Sequence, residues 1–429
     1  MSTFLFTLRE SLKIAQNKTA MTSQLPKSAI ILILGALTAL SPFSIDMYLS
    51  AFPQIAQGLN TTVSKVALSL SSYFVGLAVG QLIYGPLLDR YGRKNPLYAG
   101  LVIYILASVG CLLSTSIESL IAFRFVQALG GCAANVAAMA MVRDLFSMKE
   151  SAKVFSLLIL ILGASPLLAP TAGSYIATAF GWPSVFTALM VISTLIFLVV
   201  IFFLPESHHA DTSVSLKLRP IARGFAEILR EPQFYAFTLA GAVAFSGLFV
   251  YVAGSPLIYM RNFGLSAKVY GWVFAGLSIG FIGASQLNIF FLRRFRNDQI
   301  LRAALAVQAI AGTLFVLGTL NGGLGVIATT ALLFLILGSV GFANPNAAAL
   351  ALAPFDKNAG SAAALMGFLQ MGIGACASVG VGMIESESIL PTAVILALSG
   401  VGGLFILVFG TRHIVLKSGA TETSNIVAH

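Results

Sequence analysis

One recurrence constrains this chain more than any other feature: runs of about 20 apolar residues, each closed by a short polar stretch, follow one another along its 429 residues. The hydrocarbon core of a bilayer is about 30 Å thick, which about 20 residues cross as a helix. No water reaches that core, so each backbone N–H and C=O must be satisfied internally, and a helix does this within one segment. The runs fall near residues 30–50, 66–87, 97–115, 119–142, 154–177 and 183–204, then near 234–255, 269–292, 300–319, 323–350, 360–384 and 389–411. Only 9% of the residues are charged, against about 25% in soluble domains, so a large water-soluble core is excluded. The pattern predicts an all-α membrane protein of 12 transmembrane helices.

The placement of charge orients these helices. With both termini cytoplasmic, the inner segments collect 21 of the 25 basic residues, among them Arg90, Arg93, Lys94, Arg143, Arg293, Arg294 and Arg296. The outer loops keep only Lys65, Arg261 and Lys268. That asymmetry is the positive-inside bias, so the net charge of +10 is a topology signal and argues against a nucleic-acid partner.

The polar stretch from Pro205 to Pro232 separates six runs from six. An offset of 210 residues relates Gly131, Ala133, Ala137 and Ala138 to Gly341, Ala343, Ala347 and Ala348, as a duplicated half requires. The expected organisation is a cytoplasmic segment 1–29, a six-helix bundle 30–204, a linker 205–232, a second bundle 233–411 and a tail 412–429. The bundles should be pseudo-symmetric around one midplane cavity. Phe4, Leu5, Leu8 and Leu12 have helical spacing suited to the inner membrane face, while Met21 offers a later start; both readings stand open.

Enzymatic chemistry finds no support. Cys111, Cys132 and Cys376 sit in apolar runs without CxxC spacing, and His208, His209, His413 and His429 lie in polar segments. Neither a metal cluster nor a nucleophile with its base can assemble at membrane depth.

The polar residues that do enter the apolar runs are therefore informative. Asp46 is the one carboxylate well inside a span, and Arg124 the one basic residue so placed; an ionisable side chain there is costly enough to imply function. The first run travels outward and the fourth inward, which sets the two at comparable depth and suggests an ion pair. At 100° per residue Arg124, Gly131 and Asn135 share a stripe with Gln127 at its edge, expected to face the cavity. Tyr48, Ser246, Tyr251, Asn344 and Asn346 are further candidates for the cavity wall. In the fifth run, Pro166 and Pro170 remove backbone donors on one face while Gly163 and Gly173 permit close packing, which predicts a kinked seal.

Between the second and third runs stands Gly85-Pro86-Leu87-Leu88-Asp89-Arg90-Tyr91-Gly92-Arg93-Lys94. It resembles the GxLaDrxGrk signature of the major facilitator superfamily, and Arg124-Phe125-Val126-Gln127-Ala128-Leu129-Gly130 resembles that family's RxxQxxG motif. The resemblance implies a cytoplasmic gate in which Asp89 docks near Asn358 and Gly360 at the start of the eleventh helix, with Arg93 and Arg143 as ionic neighbours. Ser41-Pro42-Phe43-Ser44-Ile45-Asp46-Met47-Tyr48-Leu49, Gln81-Leu82-Ile83-Tyr84-Gly85-Pro86 and Arg143-Asp144-Leu145-Phe146 are similar to the bicyclomycin-resistance (Bcr/CflA-like) branch. It implies a monomeric drug:proton antiporter of a bacterial inner membrane, with Asp46 and Arg124 in proton coupling. Its partners would be a small apolar molecule and protons, and its energy the proton gradient, without a bound cofactor. A proton-coupled transporter of an endogenous metabolite is the alternative on the same fold.

Overall fold

A computed structural model describes residues 26–208, 210–211, 218–322, 324–355, 359–384, 388–412 and 414; the helical spacing read at 4–12, and Asn358, lie outside them. Among the described residues the chain forms fourteen α-helices and no strand. They are α1 (Lys27–Leu49), α2 (Phe52–Gly58), α3 (Val63–Tyr91), α4 (Lys94–Leu112), α5 (Ile117–Leu145), α6 (Met148–Phe180) and α7 (Pro183–Phe203). There follow α8 (Leu218–Leu229), α9 (Pro232–Pro256), α10 (Ala267–Phe291), α11 (Asn297–Leu320), α12 (Val326–Leu352), α13 (Ala359–Met383) and α14 (Leu390–Gly410). Eleven helices are long and apolar enough to cross a membrane. The remaining expected span is α6, whose 33 residues extend about 50 Å at 1.5 Å per residue.

Local chemistry sets the helix ends. Thr62 caps α3 by accepting from the Lys65 amide at 3.2 Å, Ser116 and Ser119 form a reciprocal cap on α5, and Ser147 with Glu150 does the same for α6. Prolines occupy the first turn of α7, α9 and α14, where their missing N–H would have been unpaired anyway. Gly92 stops α3 at φ +80°, a left-handed turn that a Cβ would strain.

Three elements depart from the expected runs. The short α2 follows α1 with Pro53 in its first turn. The linker contains α8, whose Phe225 and Ile228 pack with α9 and α13. Finally, α9 continues beyond Pro256 as a π-helical turn, Leu257–Asn262, because a proline cannot donate the bond that would keep the α-helical ladder.

The packing repeats. α5 lies against α1, α3 and α4, as α12 lies against α9, α10 and α11. α1 also packs on α6 and α7, as α9 packs on α13 and α14. The seam between halves is symmetric too, with α3 against α13 and α6 against α10. Within the first half, α6 meets α1 where a Cβ on Gly173 would collide with the Met47 carbonyl; glycine at this position is a packing requirement.

The seam is closed at one end and open at the other. Away from the Gly85–Lys94 loop, Ser71 and Ser378 share a hydrogen bond of 2.6 Å, and Phe74 stands edge-on to Phe249 with centroids 4.4 Å apart. Lys268 lies over the Tyr175 ring at 5.9 Å. Towards the loop the halves part around a cleft of ≈ 610 Å³, whose lining includes Gln81, Asp89, Asn135 and Arg143 opposite Phe225 and Ser361. A Ser71→Cys/Ser378→Cys pair in a background lacking the native cysteines should therefore cross-link on mild oxidation. Mobility on denaturing gels, with the linker cut, checks it: the halves migrate together until reduced.

Candidate transport site and gating loop

Arg124 is fully buried in the first half. Its Nη1 donates to Gln127 Oε1 at 2.6 Å and its Nη2 to the Ser44 carbonyl at 3.1 Å. The guanidinium lies 4.2 Å from the Tyr73 ring centroid, 4.6 Å from that of Tyr48 and 5.9 Å from that of Phe186. A charge at a helix centre costs at least about 2.5–3.5 kcal/mol. Hydrogen bonds to charged groups contribute about 1.5–3 kcal/mol each and a desolvated cation–π contact about 2 kcal/mol, so this shell is of the right size to hold the charge. Gln127 extends the network by donating to Ser108 Oγ at 2.8 Å, while the guanidinium Nε has no hydrogen-bond partner among the described residues.

The expected Asp46–Arg124 ion pair is not made. Ser44 faces Arg124, and Asp46, two residues on, is rotated about 200° around the same helix. Its carboxylate instead accepts from Ser165 Oγ of α6 at 3.4 Å and lies near Tyr251 and Tyr270 of the second half. Tyr270 shares a hydrogen bond of 2.8 Å with Ser255. Tyr251 stacks on Phe274 with centroids 5.4 Å apart, and its buried hydroxyl has no partner. Asp46 is thus a buried carboxylate at the seam between the halves, while Arg124 belongs to the interior of one half.

The other expected wall residues divide. Tyr48 is turned into the first half, where its hydroxyl meets Ser69 Oγ at 2.6 Å, and Gln127 is buried beside Arg124; neither lines the cleft, because the aromatic box around Arg124 claims both. Asn135 does line it. Ser246 returns its hydroxyl to the Val243 carbonyl. Asn346 joins α12 to α10 by donating to Asn288 Oδ1 at 2.7 Å, and Asn344 accepts from Gln370 of α13 at 3.0 Å, so both act as interhelical bonds. In α6 the helix continues through Pro166 and Pro170, and the Pro170–Thr171 step faces Gly271 of α10. Gly163 lies earlier in the same helix.

At the open end, Arg93 is the hub. Its Nη1 donates to Asp89 Oδ1 at 2.6 Å and its Nε to Asp144 Oδ2 at 2.8 Å. Asp144 also accepts from Ser207 Oγ at 2.9 Å. Glu206, just beyond α7, receives the amides of Arg93 at 2.9 Å and Lys94 at 3.1 Å, so a carboxylate caps α4 at the end where the helix dipole favours it. The chain after α7 crosses this cap closely, because a Cβ on Gly92 would sit 3.0 Å from the His208 carbonyl. Asp89 pairs with Arg93 within its own half; of the place where it is expected to dock, Asn358 lies outside the described residues and Gly360 is in the first turn of α13. One expectation changes. Arg143 lines the cleft, and its neighbour Asp144 takes the ionic role, being opposite in sign to Arg93. Arg90 lies 5.8 Å from the Tyr91 ring centroid.

Asp144, Glu206, Ser165 and Tyr270 were not anticipated. Asp144 stood within a segment already singled out, and Glu206 was visible only as an acid directly after an apolar run. Glu206→Ala should destabilise the chain by about 1 kcal/mol, because an exposed charge at a helix N-terminus contributes about 0.3–1 kcal/mol, and should speed proteolysis of the linker. Thermal unfolding in detergent alongside limited proteolysis measures both.

Comparison with known proteins supplies the family. The model described as Major Facilitator Superfamily matches residues 34–380. An uncharacterized MFS-type transporter, YdgK of Bacillus subtilis, is 32% identical over 88% of this chain and 94% of its own. The bicyclomycin resistance protein homolog of Haemophilus influenzae is 33% identical over 80% of this chain and 86% of its own. Among solved structures, a D-xylose-proton symporter superposes with a TM-score of 0.72 at 14% identity, over 92% of this chain and 99% of that one. At that identity it speaks for the fold alone, and the fold is the one expected. This multi-pass membrane chain, a transporter and not an enzyme, belongs to the major facilitator superfamily.

Proposed function

We propose that the protein exports small, fairly apolar drugs or antibiotics across a bacterial inner membrane in exchange for protons, by alternating access between its two six-helix halves (30–204 and 233–411). The observation that carries this reading is Asp46: a carboxylate buried at the seam between halves, beside the unpartnered Tyr251 hydroxyl. Burial favours the neutral form of a carboxylic acid. A carboxyl group whose surroundings are made by both halves changes environment whenever they move, and so links protonation to conformation. Relatives named for resistance to bicyclomycin and to multiple drugs support an antibiotic-like cargo. The basic residues at the open end support a cytoplasmic placement of that end, with both termini on the same side and the cleft facing inward. The energy source is the proton gradient, and the chain acts as a monomer on its substrate.

In this reading Arg124 is a positioning residue, since it holds the Ser44 carbonyl two residues from Asp46. The Asp89–Arg93–Asp144 cluster governs closure of the cleft, with Asp89 facing α13 as the halves approach. The proline-containing α6 serves as the seal along α10.

Expression in a host lacking its own pumps, tested against an antibiotic panel with and without an uncoupler, should give resistance that the uncoupler removes. Export of a metabolite without any protection would favour the alternative transporter on the same fold. In proteoliposomes, Asp46→Asn should abolish uphill export and drug-induced proton release while retaining downhill exchange; full export driven by a pH gradient in that variant would refute the assignment. Asp89→Asn should slow transport of every substrate by a similar factor. Spin-label distances across the open end should shift in this variant, and altered selectivity with unchanged distances would contradict the gating role.

A further inference from the structure

Outside the seam, α10, α11 and α12 enclose a second hollow, a groove of ≈ 710 Å³. Its walls are apolar, formed by residues such as Ile279, Leu287 and Phe291 of α10, Ile300 of α11 and Phe334 of α12. From Ile279 to Phe291 the groove runs about 18 Å along the helix at 1.5 Å per residue. That length is close to one leaflet of a hydrocarbon core about 30 Å thick.

The groove reaches the membrane surface at the α10–α11 loop, where Phe295 and Gln299 form its end. Arg293, Arg294 and Arg296 are exposed around that end. Arg293 lies over the Phe290 ring at 5.3 Å, Arg296 pairs with Asp298 at 3.1 Å, and the Arg294 guanidinium has no partner among the described residues. Three cations thus stand against one carboxylate at the mouth of an apolar channel one leaflet deep. This loop is the second-half counterpart of Gly85–Lys94, with the cations kept and the glycines lost, so its charges are not spent on a buried cluster like that of Arg93.

We infer that the groove is a binding site for one anionic phospholipid, with an acyl chain lying along α10–α12 and the phosphate held by the Arg293–Arg296 loop. An unfilled apolar groove forfeits dispersion contacts along its whole lining, and lipid is the apolar solvent at hand. Basic pockets between transmembrane helices on the cytoplasmic side suit anionic head groups. The inference stands independently of what the protein transports.

The test is native mass spectrometry of the full-length protein in detergent, titrated with phosphatidylglycerol or phosphatidylcholine carrying the same acyl chains. The first bound lipid should prefer phosphatidylglycerol by roughly tenfold, given the charge at the mouth. Replacing Arg293, Arg294 and Arg296 together by Gln should erase that preference, whereas Arg412→Gln, at the end of α14 on the same membrane face, should keep it. Gly283 lines the groove, and a Cβ there would meet nothing within 4 Å; Gly283→Leu should fill the space and weaken binding of both lipids without unfolding the chain. No preference in the wild type, a preference that survives the triple substitution, or an unaffected Gly283→Leu would each overturn the site. So would an apolar drug that excludes phosphatidylglycerol from the wild type and is itself excluded by Gly283→Leu, since the groove would then be a substrate pocket.

Discussion

The absence of water in the hydrocarbon core governs this molecule. It obliges each crossing segment to be helical and removes the hydrophobic drive between helices, so they associate through close packing and a few polar contacts. Both consequences are visible. The helices meet through small residues, as where Gly173 lets α6 reach the Met47 carbonyl, and the scarce polar side chains each have a defined task. Asn346 and Gln370 join helices, Arg124 organises one half, and Asp46 occupies the seam. Selection against polar groups in lipid makes those that remain worth reading.

For the same reason the architecture was legible from the sequence. Apolar run lengths located the eleven helices apolar enough to cross a membrane, and α6 besides, with ends displaced by a few residues where Ser and Thr caps or Gly92 and Gly181 extended or stopped them. The departures lie where the apolar signal is short or mixed: α2, α8 and the π-helical turn after Pro256. In α8 the signal was present as Leu218, Ile221, Phe225 and Ile228 at helical spacing, within a stretch whose charges suggested a plain linker.

Side-chain partners were less legible. Depth along a helix follows from counting residues, so Asp46 and Arg124 were placed at comparable heights. Direction around the helix depends on which neighbours it packs against, and that is a tertiary property. Ser44 and Asp46 are two positions apart and point to opposite sides of α1, one into the Arg124 box and the other to α6 and the second half. The same limit applies at the loop, where Arg143 and Asp144 are adjacent and only the acid reaches Arg93. A motif tells which residue types gather; packing decides which atoms touch.

The cap on α4 bears on how far the halves can travel. Glu206 and the Asp211 amide, which donates to the Asp89 carbonyl at 3.3 Å, fasten the start of the linker to the first half, while α8 packs with helices of the second. The connection between these two anchor points is therefore not the whole polar gap but the seven peptide steps from Asp211 to Leu218. Fully extended, these span about 25 Å at 3.6 Å per residue. Whatever conformation those steps take, their covalent length caps the separation between Asp211, held on the first half, and Leu218, where α8 begins, however the halves move.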